Sequence, residues 1–232
     1  MKKYYLIPLS LILIIISLAL FPTLIDRVKN SRIIENNRSS ESSPLSYIVL
    51  NGKAKKVPPF LMTNQDNLLI SNEDFVGKVY LVEFFFTSCT TICPMMNKNM
   101  KRLENSFGSR EDFGIASFTV DPDNDKPEVL KKYSELYEVF SKNWHFLTSD
   151  KQTVFKLSNE GFNIFSSINP KVRDGIEHQG YFALIDKKGY IRSRTDSYGN
   201  PIVYYLGIDQ ENSESIQGTE MLLEDIPKLF KE

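Results

Sequence analysis

The chain is constrained most by one stretch, Val79 to Met100, which reads VYLVEFFFTSCTTICPMMNKNM. It begins β-branched and aromatic, from Val79 to Phe86, as a strand covered on both faces does. Thr87 and Ser88 form a short turn that delivers Cys89, and Cys93 follows four residues on. Pro94 suits the first turn of a helix, where its missing N–H costs nothing. Met96, Met100 and Leu103 recur at helical spacing, which predicts a helix to about Phe107. Two thiols therefore sit where a central strand hands over to a helix N-terminus. Backbone N–H groups and the helix dipole favour a thiolate there. They are the only 2 cysteines in the chain, so a distributed disulfide framework is excluded. The pair reads as a redox couple, a metal site or both.

Upstream, Lys2 and Lys3 precede a stretch without charge from Leu6 to Ile25. A helix of that length spans roughly 30 Å, the hydrocarbon core of a bilayer. Ser17-Leu18-Ala19 offers only a weak cleavage site, and the apolar run continues beyond it, so the segment is expected to stay as an anchor rather than leave as a signal peptide. No cysteine follows it for lipid attachment. Asp26 to Ser46 is rich in Asn, Ser, Arg and Glu without apolar periodicity, and reads as a flexible tether reaching about 25 Å. The expected organisation is thus anchor 1–25, tether 26–46 and folded domain 47–232. A composition of 41% hydrophobic and 12% aromatic residues suffices for one sizeable core, and a net charge of −1 argues against nucleic acid as a partner.

Within the domain, Val57 to Met62 and Asn67 to Ile70 read as short edge strands. Phe113 to Val120 is a second apolar strand, ending in the polar turn Asp121-Pro122-Asp123-Asn124-Asp125. Pro127 opens a helix to about Phe140, Trp144 to Leu147 is a strand, and a helix capped by Ser149 or Asp150 runs through Glu160. Gly161 to Glu177 reads as irregular. Tyr181 to Ile185 and Tyr190 to Arg194 form a hairpin, and after a polar insertion, Asp196 to Gln217, a last helix covers Thr219 to Lys231 with a kink at Pro227. Strands alternating with helices, then a hairpin and a final helix, predict an α/β domain with a mixed central sheet flanked by helices. A cysteine pair at the first strand-to-helix junction is the thioredoxin-like layout. Chemistry in such sheets gathers beyond the carboxyl ends of the strands, where Asp121 also lies. Asp121 reads equally well as part of a plain turn and helix cap.

The 2 histidines discriminate further. His145, within Trp144 to Leu147, reads as a packed strand residue. His178 stands just before the strand Tyr181 to Ile185, in the loop that faces the cysteine turn in a thioredoxin-like layout. Cys89, Cys93 and His178 would make a three-ligand set of two thiolates and an imidazole. Soft thiolates select Cu(I), zinc or iron–sulfur chemistry, and imidazole suits copper and zinc. Structural zinc wants a fourth protein ligand, although zinc with a bound water stays open. Copper suits the set better, since a low coordination number satisfies Cu(I).

The runs FFFTSCTTICPMM and TVDPDNDKPEVLKKY, with the late His178 before a strand, closely resemble the Sco/SenC family over about Pro58 to Arg194 and the last helix. The resemblance implies a membrane-anchored, thioredoxin-like protein that binds copper, as Cu(I) or Cu(II), through Cys89, Cys93 and His178. Asp121 would be a nearby acidic group. It implies delivery of copper to, or preparation of, the CuA site during cytochrome c oxidase assembly, a metallochaperone role without turnover. The oxidase's copper-binding subunit is the expected partner, with a copper-donor chaperone or a thiol reductant beside it. The domain is then expected on the extracytoplasmic side of the cell membrane. A tethered thiol–disulfide oxidoreductase or peroxidase, with Cys89 attacking and Cys93 resolving, is the alternative. The irregular loop before His178, the long insertion, and Gln179 and Gly180 after the histidine depart from the family pattern.

Overall fold

The structure is a computed structural model that describes residues 44–196, 198–209 and 217–232. The expected anchor, the tether up to residue 43, and insertion residues 197 and 210–216 lie outside the described residues. Among the described residues, no helix is long and apolar enough to cross a membrane.

The strands are β1 (Ser46–Tyr47), β2 (Val49–Leu50), β3 (Lys53–Ala54), β4 (Leu61–Asn64), β5 (Leu69–Ser71), β6 (Val79–Phe85), β7 (Phe113–Thr119), β8 (Trp144–Thr148), β9 (Ser166–Ile168), β10 (Ile176–His178), β11 (Tyr181–Ile185), β12 (Ile191–Ser193) and β13 (Tyr205–Leu206). The helices are α1 (Cys93–Phe107), α2 (Pro127–Leu136), α3 (Lys151–Lys156) and α4 (Gly218–Phe230). The main sheet runs β1-β12-β11-β6-β7-β8-β4-β5, with β13 paired to β11. Strands β6, β7 and β8 are parallel, and β11 and β4 join them antiparallel. The sheet is therefore mixed, as the order of elements predicts.

Strands β6 and β7 sit at its centre with every residue buried. Side chains alternate between the two faces. Phe85 packs on Tyr133 of α2 and on Phe146, and Phe113 meets Phe107 of α1 and Phe230 of α4. On the opposite face Phe84 stacks on Phe118 and meets Phe162, while Phe60 meets Phe118 edge-on. Each fully buried phenyl ring contributes about 1.5–3 kcal/mol. Covering both faces this way explains why a parallel core tolerates continuous apolar strands.

Four details differ from the sequence expectation. Strand β6 stops at Phe85, and α1 begins at Cys93 itself, so Cys93 is helical. Helix α2 stops at Leu136, because Glu138 takes a left-handed backbone (φ 51) and the buried Glu104 carboxylate accepts the N–H groups of Phe140 and Ser141. Leu136 and Phe140 are then exposed, 74% and 52%. The segment 161–177, expected as irregular, carries the antiparallel β9–β10 hairpin. Finally, the apolar run of β6 includes Glu83, whose carboxyl is completely buried.

The last helix reaches the sheet through a close approach. A Cβ on Gly218 would stand 2.0 Å from the Leu206 carbonyl oxygen, so no side chain has room there. Pro227 lies inside α4 as expected.

Candidate metal centre

Strand β6 ends against the turn that carries Cys89, whose N–H donates to the Phe86 carbonyl at 3.3 Å. Helix α1 starts four residues later with Ile92 as its N-cap and no side-chain cap. A helix start leaves N–H groups without intrahelical acceptors. Here the Cys93 N–H donates to Cys89 Sγ at 3.4 Å, so the sulfur supplies the acceptor that isoleucine lacks. Cys89 is 7% exposed and Cys93 0% exposed, and both are free thiols.

His178 ends β10, paired opposite Ser166 of β9. The hairpin is held from below by the Asn159 amide, which donates to the Ser166 carbonyl and accepts the Ser166 N–H, both at 2.9 Å. Asn159 lies in the wide π turn, Leu157–Phe162, that prolongs α3. Beyond the histidine, the Gln179 side chain accepts the Phe165 N–H at 2.8 Å and closes the hairpin. Gly180 then lets the chain pass between Ile92 and Ile208, whose methyl carbons would lie 3.4 and 2.8 Å from an added Cβ. The two residues that depart from the family pattern thus fix the chain immediately after the histidine.

His178 Nε2 lies 3.3 Å from Cys93 Sγ, and its ring meets Phe86 edge-on. The donor atoms of Cys89, Cys93 and His178 all lie within 4.8 Å of one another. Metal–sulfur bonds of about 2.3 Å and metal–nitrogen bonds of about 2.0 Å put the donors of one ion no more than about 4.6 Å apart, a separation close to the one found here. The other ring nitrogen, Nδ1, is buried without a hydrogen-bond partner. The residues brought together have the donor chemistry of a Cu(I) or zinc site, and copper fits them.

The sulfurs differ electrostatically. Hydrogen bonding from the Cys93 thiol, opposed by burial and supplemented by His178, the Cys93 N–H and the Thr91 hydroxyl, holds Cys89 down to about 3. Cys93 is pushed upward by Cys89 and by burial. The Cys93 N–H donates to Cys89 Sγ, so of the two coupled sulfurs Cys89 is the one that favours the thiolate. We expect iodoacetamide to alkylate Cys89 of the reduced, metal-free protein at pH 5 within about threefold of its pH 8 rate, because the thiolate persists as pH falls. An ordinary thiol loses roughly 1000-fold over that range. A loss of that size at Cys89, read by mass spectrometry, contradicts the assignment.

Asp121 does not contact the thiols through any described hydrogen bond. Its carboxylate accepts from the Asn124 amide at 2.8 Å, and its carbonyl accepts the Asn124 and Asp125 N–H groups. Asp125 instead reaches the cysteine turn, where it accepts the Thr87 N–H at 3.0 Å as well as the hydroxyls of Thr87 and Thr119. Two further groups carry no sequence signal. Asp174 binds Thr90, between the cysteines. Glu83 accepts from Ser117 Oγ at 2.7 Å, and burial raises its carboxyl to about 7. His145 is a packed residue against Phe75, near Asn64, and lies outside the site.

Known proteins share this arrangement of elements. The SCO1 protein homolog of Bacillus subtilis is 37% identical over 151 residues, covering 64% of this chain and 73% of that protein. The solved structure of BsSco, described as a member of the Sco family of cytochrome c oxidase assembly proteins with a disulfide switch, superposes with a TM-score of 0.60 at 31% identity. It covers 75% of this chain and 93% of that one. The copper-bound structure of Bradyrhizobium japonicum ScoI matches with a TM-score of 0.56, over 76% of this chain and 99% of that one; at 18% identity it shows a common fold. The sequence model described as SCO1/SenC matches residues 49–210, more than half of the protein, and the chain therefore belongs to the SCO1/SenC family.

Proposed function

We propose that the protein binds copper through Cys89, Cys93 and His178 and delivers it to, or prepares, the CuA site during cytochrome c oxidase assembly. The observation that carries this reading is the convergence of those three donor atoms within 4.8 Å, although His178 lies 85 residues from Cys93. Family membership supports it, as do a relative described as a cytochrome c oxidase assembly protein and one solved with copper bound. Copper is the cargo here, a soft ion that the two thiolates and one imidazole keep from solvent and hydrolysis. Cys89 is already the thiolate, Cys93 gives up its proton on loading, and His178 presents Nε2. Asp121 belongs to the acidic turn beside the site.

Oxidation couples loading to redox poise. A thiol oxidant that takes two electrons from the Cys89 thiolate and Cys93 thiol, with the Cys93 proton passing to water, leaves a disulfide, which removes two of the three donors. In this reading residues 6–25 anchor the chain and the domain, 47–232, faces the extracytoplasmic side, where the oxidase's copper-binding subunit would meet it. A copper-donor chaperone or a thiol reductant would act upstream.

We expect His178→Ala to lower Cu(I) affinity by about 10–100-fold with both thiols intact, measured by competition with a chromophoric chelator. Unchanged affinity and stoichiometry would remove His178 from the ligand set. The low-lying Cys89 thiolate favours a second reading, a thiol–disulfide oxidoreductase acting on the oxidase's own copper-binding cysteines. That function needs no histidine. If His178→Ala supports oxidase assembly in cells while Cys89→Ser does not, the redox reading replaces copper delivery.

A further inference from the structure

The β9–β10 hairpin touches the cysteine loop at a second polar point, which the ligand set does not use. Asp174 lies in the tip of that hairpin, four residues before His178. Its Oδ2 accepts the Thr90 N–H at 2.8 Å, and its two oxygens accept the Thr90 hydroxyl at 2.9 and 3.1 Å. Thr90 is the residue directly after Cys89, inside the three-residue span between the thiols. The two residues are 84 apart in sequence, so this is a tertiary tie and no local turn.

Both ends of the tie are braced. In the hairpin tip, Asn169 N–H donates to the Gly175 carbonyl at 2.9 Å and Gly175 N–H donates to the Val172 carbonyl at 3.1 Å. Gly175 adopts φ 75, a left-handed conformation that costs glycine little. The Asn169 amide also donates to Glu177 at 3.0 Å, beside His178. Asp174 and His178 are therefore carried by one hydrogen-bonded hairpin. Across the gap, the Thr91 hydroxyl lies 3.6 Å from Cys89 Sγ, and the next turn carries Cys93. One segment thus grips the cysteine loop twice, by a carboxylate at Thr90 and by an imidazole at Cys93.

We propose that Asp174 is a positioning residue for the metal centre, acting through Thr90 to hold the cysteine loop against the histidine hairpin. This rests on the copper reading for its purpose, but the tie itself is independent of metal. The physical reason is preorganisation. A loop with three residues between its thiols samples many arrangements, and each order imposed before binding is an entropy loss removed from the binding step. A carboxylate suits the task because one group satisfies an N–H and a hydroxyl together, and a charged acceptor makes the stronger hydrogen bonds.

The test uses the full chain, reduced, with Asp174→Ala, Asp174→Asn, Thr90→Val and the Asp174→Ala/Thr90→Val double variant. Cu(I) affinity is read by chelator competition. Asp174→Ala should lower it about tenfold, the lower end for loss of a partner behind a ligand. Asp174→Asn keeps one oxygen for the Thr90 N–H and should recover part of the loss. The double variant should be no weaker than Asp174→Ala, since both changes cut the same tie. The copper X-ray absorption spectrum should keep its sulfur and nitrogen neighbours throughout, which separates positioning from ligation.

Amide hydrogen exchange of the metal-free protein supplies the second arm. Exchange across residues 90–93 should accelerate at least about tenfold in Asp174→Ala while β6 and β7 stay protected. Should wild-type protein bind no copper, the copper reading fails and the exchange arm alone judges the tie. Wild-type copper binding with Asp174→Ala within twofold in affinity, or unchanged exchange at 90–93, overturns the proposal. So does a double variant that loses the sum of the single effects.

Discussion

Serine in place of Cys93 should lower copper affinity by more than about 100-fold. Loss of an outer partner of a metal ligand already costs 10–100-fold, and Cys93 is proposed as a ligand itself. Its sulfur is wholly buried at the first residue of α1, 3.3 Å from His178 Nε2. A serine hydroxyl is a hard donor that stays protonated at neutral pH, so it replaces the volume but not the soft anion. The exchange removes no large apolar contact, and the fold should persist, as near-ultraviolet circular dichroism would record. Competition titration then separates the outcomes. A Cys93→Ser protein that keeps wild-type affinity means that the metal, if bound, sits elsewhere.

The second large effect concerns stability, in a buried ion network outside the ligand set. Arg194 is 1% exposed, and its Nε donates to Asp225 Oδ2 at 2.7 Å. Its Nη2 donates to Glu224 at 2.8 Å and to the Met221 carbonyl at 3.0 Å. Burial opposes the guanidinium charge, but Asp225 and Glu224 overcome it and raise its affinity for the proton. Asp225 is fully buried and also accepts from the Tyr205 hydroxyl at 2.8 Å and from Lys228 at 3.0 Å. Asp225→Ala leaves a buried cation and a buried phenol without their shared acceptor. Breaking such a pair costs about 3–5 kcal/mol. In a domain of this size each kcal/mol moves Tm by about 2–4 °C, so Tm should fall by about 6–20 °C. Urea denaturation showing a loss under about 1 kcal/mol would mean that Glu224 alone compensates Arg194. The network ties the chain after β12 and β13 to α4 and supplies none of the three donor atoms, so the folded variant should keep its copper affinity.

The contrast between these two regions explains what was legible in the sequence. The strand–turn–helix around Cys89 could be read because a continuous apolar run gives way there to apolar residues at every third or fourth position. His178 stood out by scarcity and by its place before β11. The β9–β10 hairpin could not be read, because side-chain hydrogen bonds from Asn159 and Gln179 hold it and no apolar period marks it. Asp174 was invisible for the same reason, since a carboxylate in a polar loop looks like solvated surface. Glu83 hid in the opposite way, as one acid inside an apolar strand, accepted because Ser117 lies opposite it and Trp144 Nε1 donates to that serine at 2.9 Å. Helix ends drifted where caps were tertiary. Glu104 stops the chain after α2 from 36 residues away, which no local window contains.

The measurement closest to the central claim is the copper X-ray absorption spectrum of the reduced full chain carrying one equivalent of Cu(I), recorded beside His178→Ala. Two sulfur neighbours and one imidazole nitrogen are expected in the wild type, with the nitrogen lost and both sulfurs kept in the variant. A wild-type site without two sulfurs, or an imidazole signal that survives His178→Ala, would contradict it.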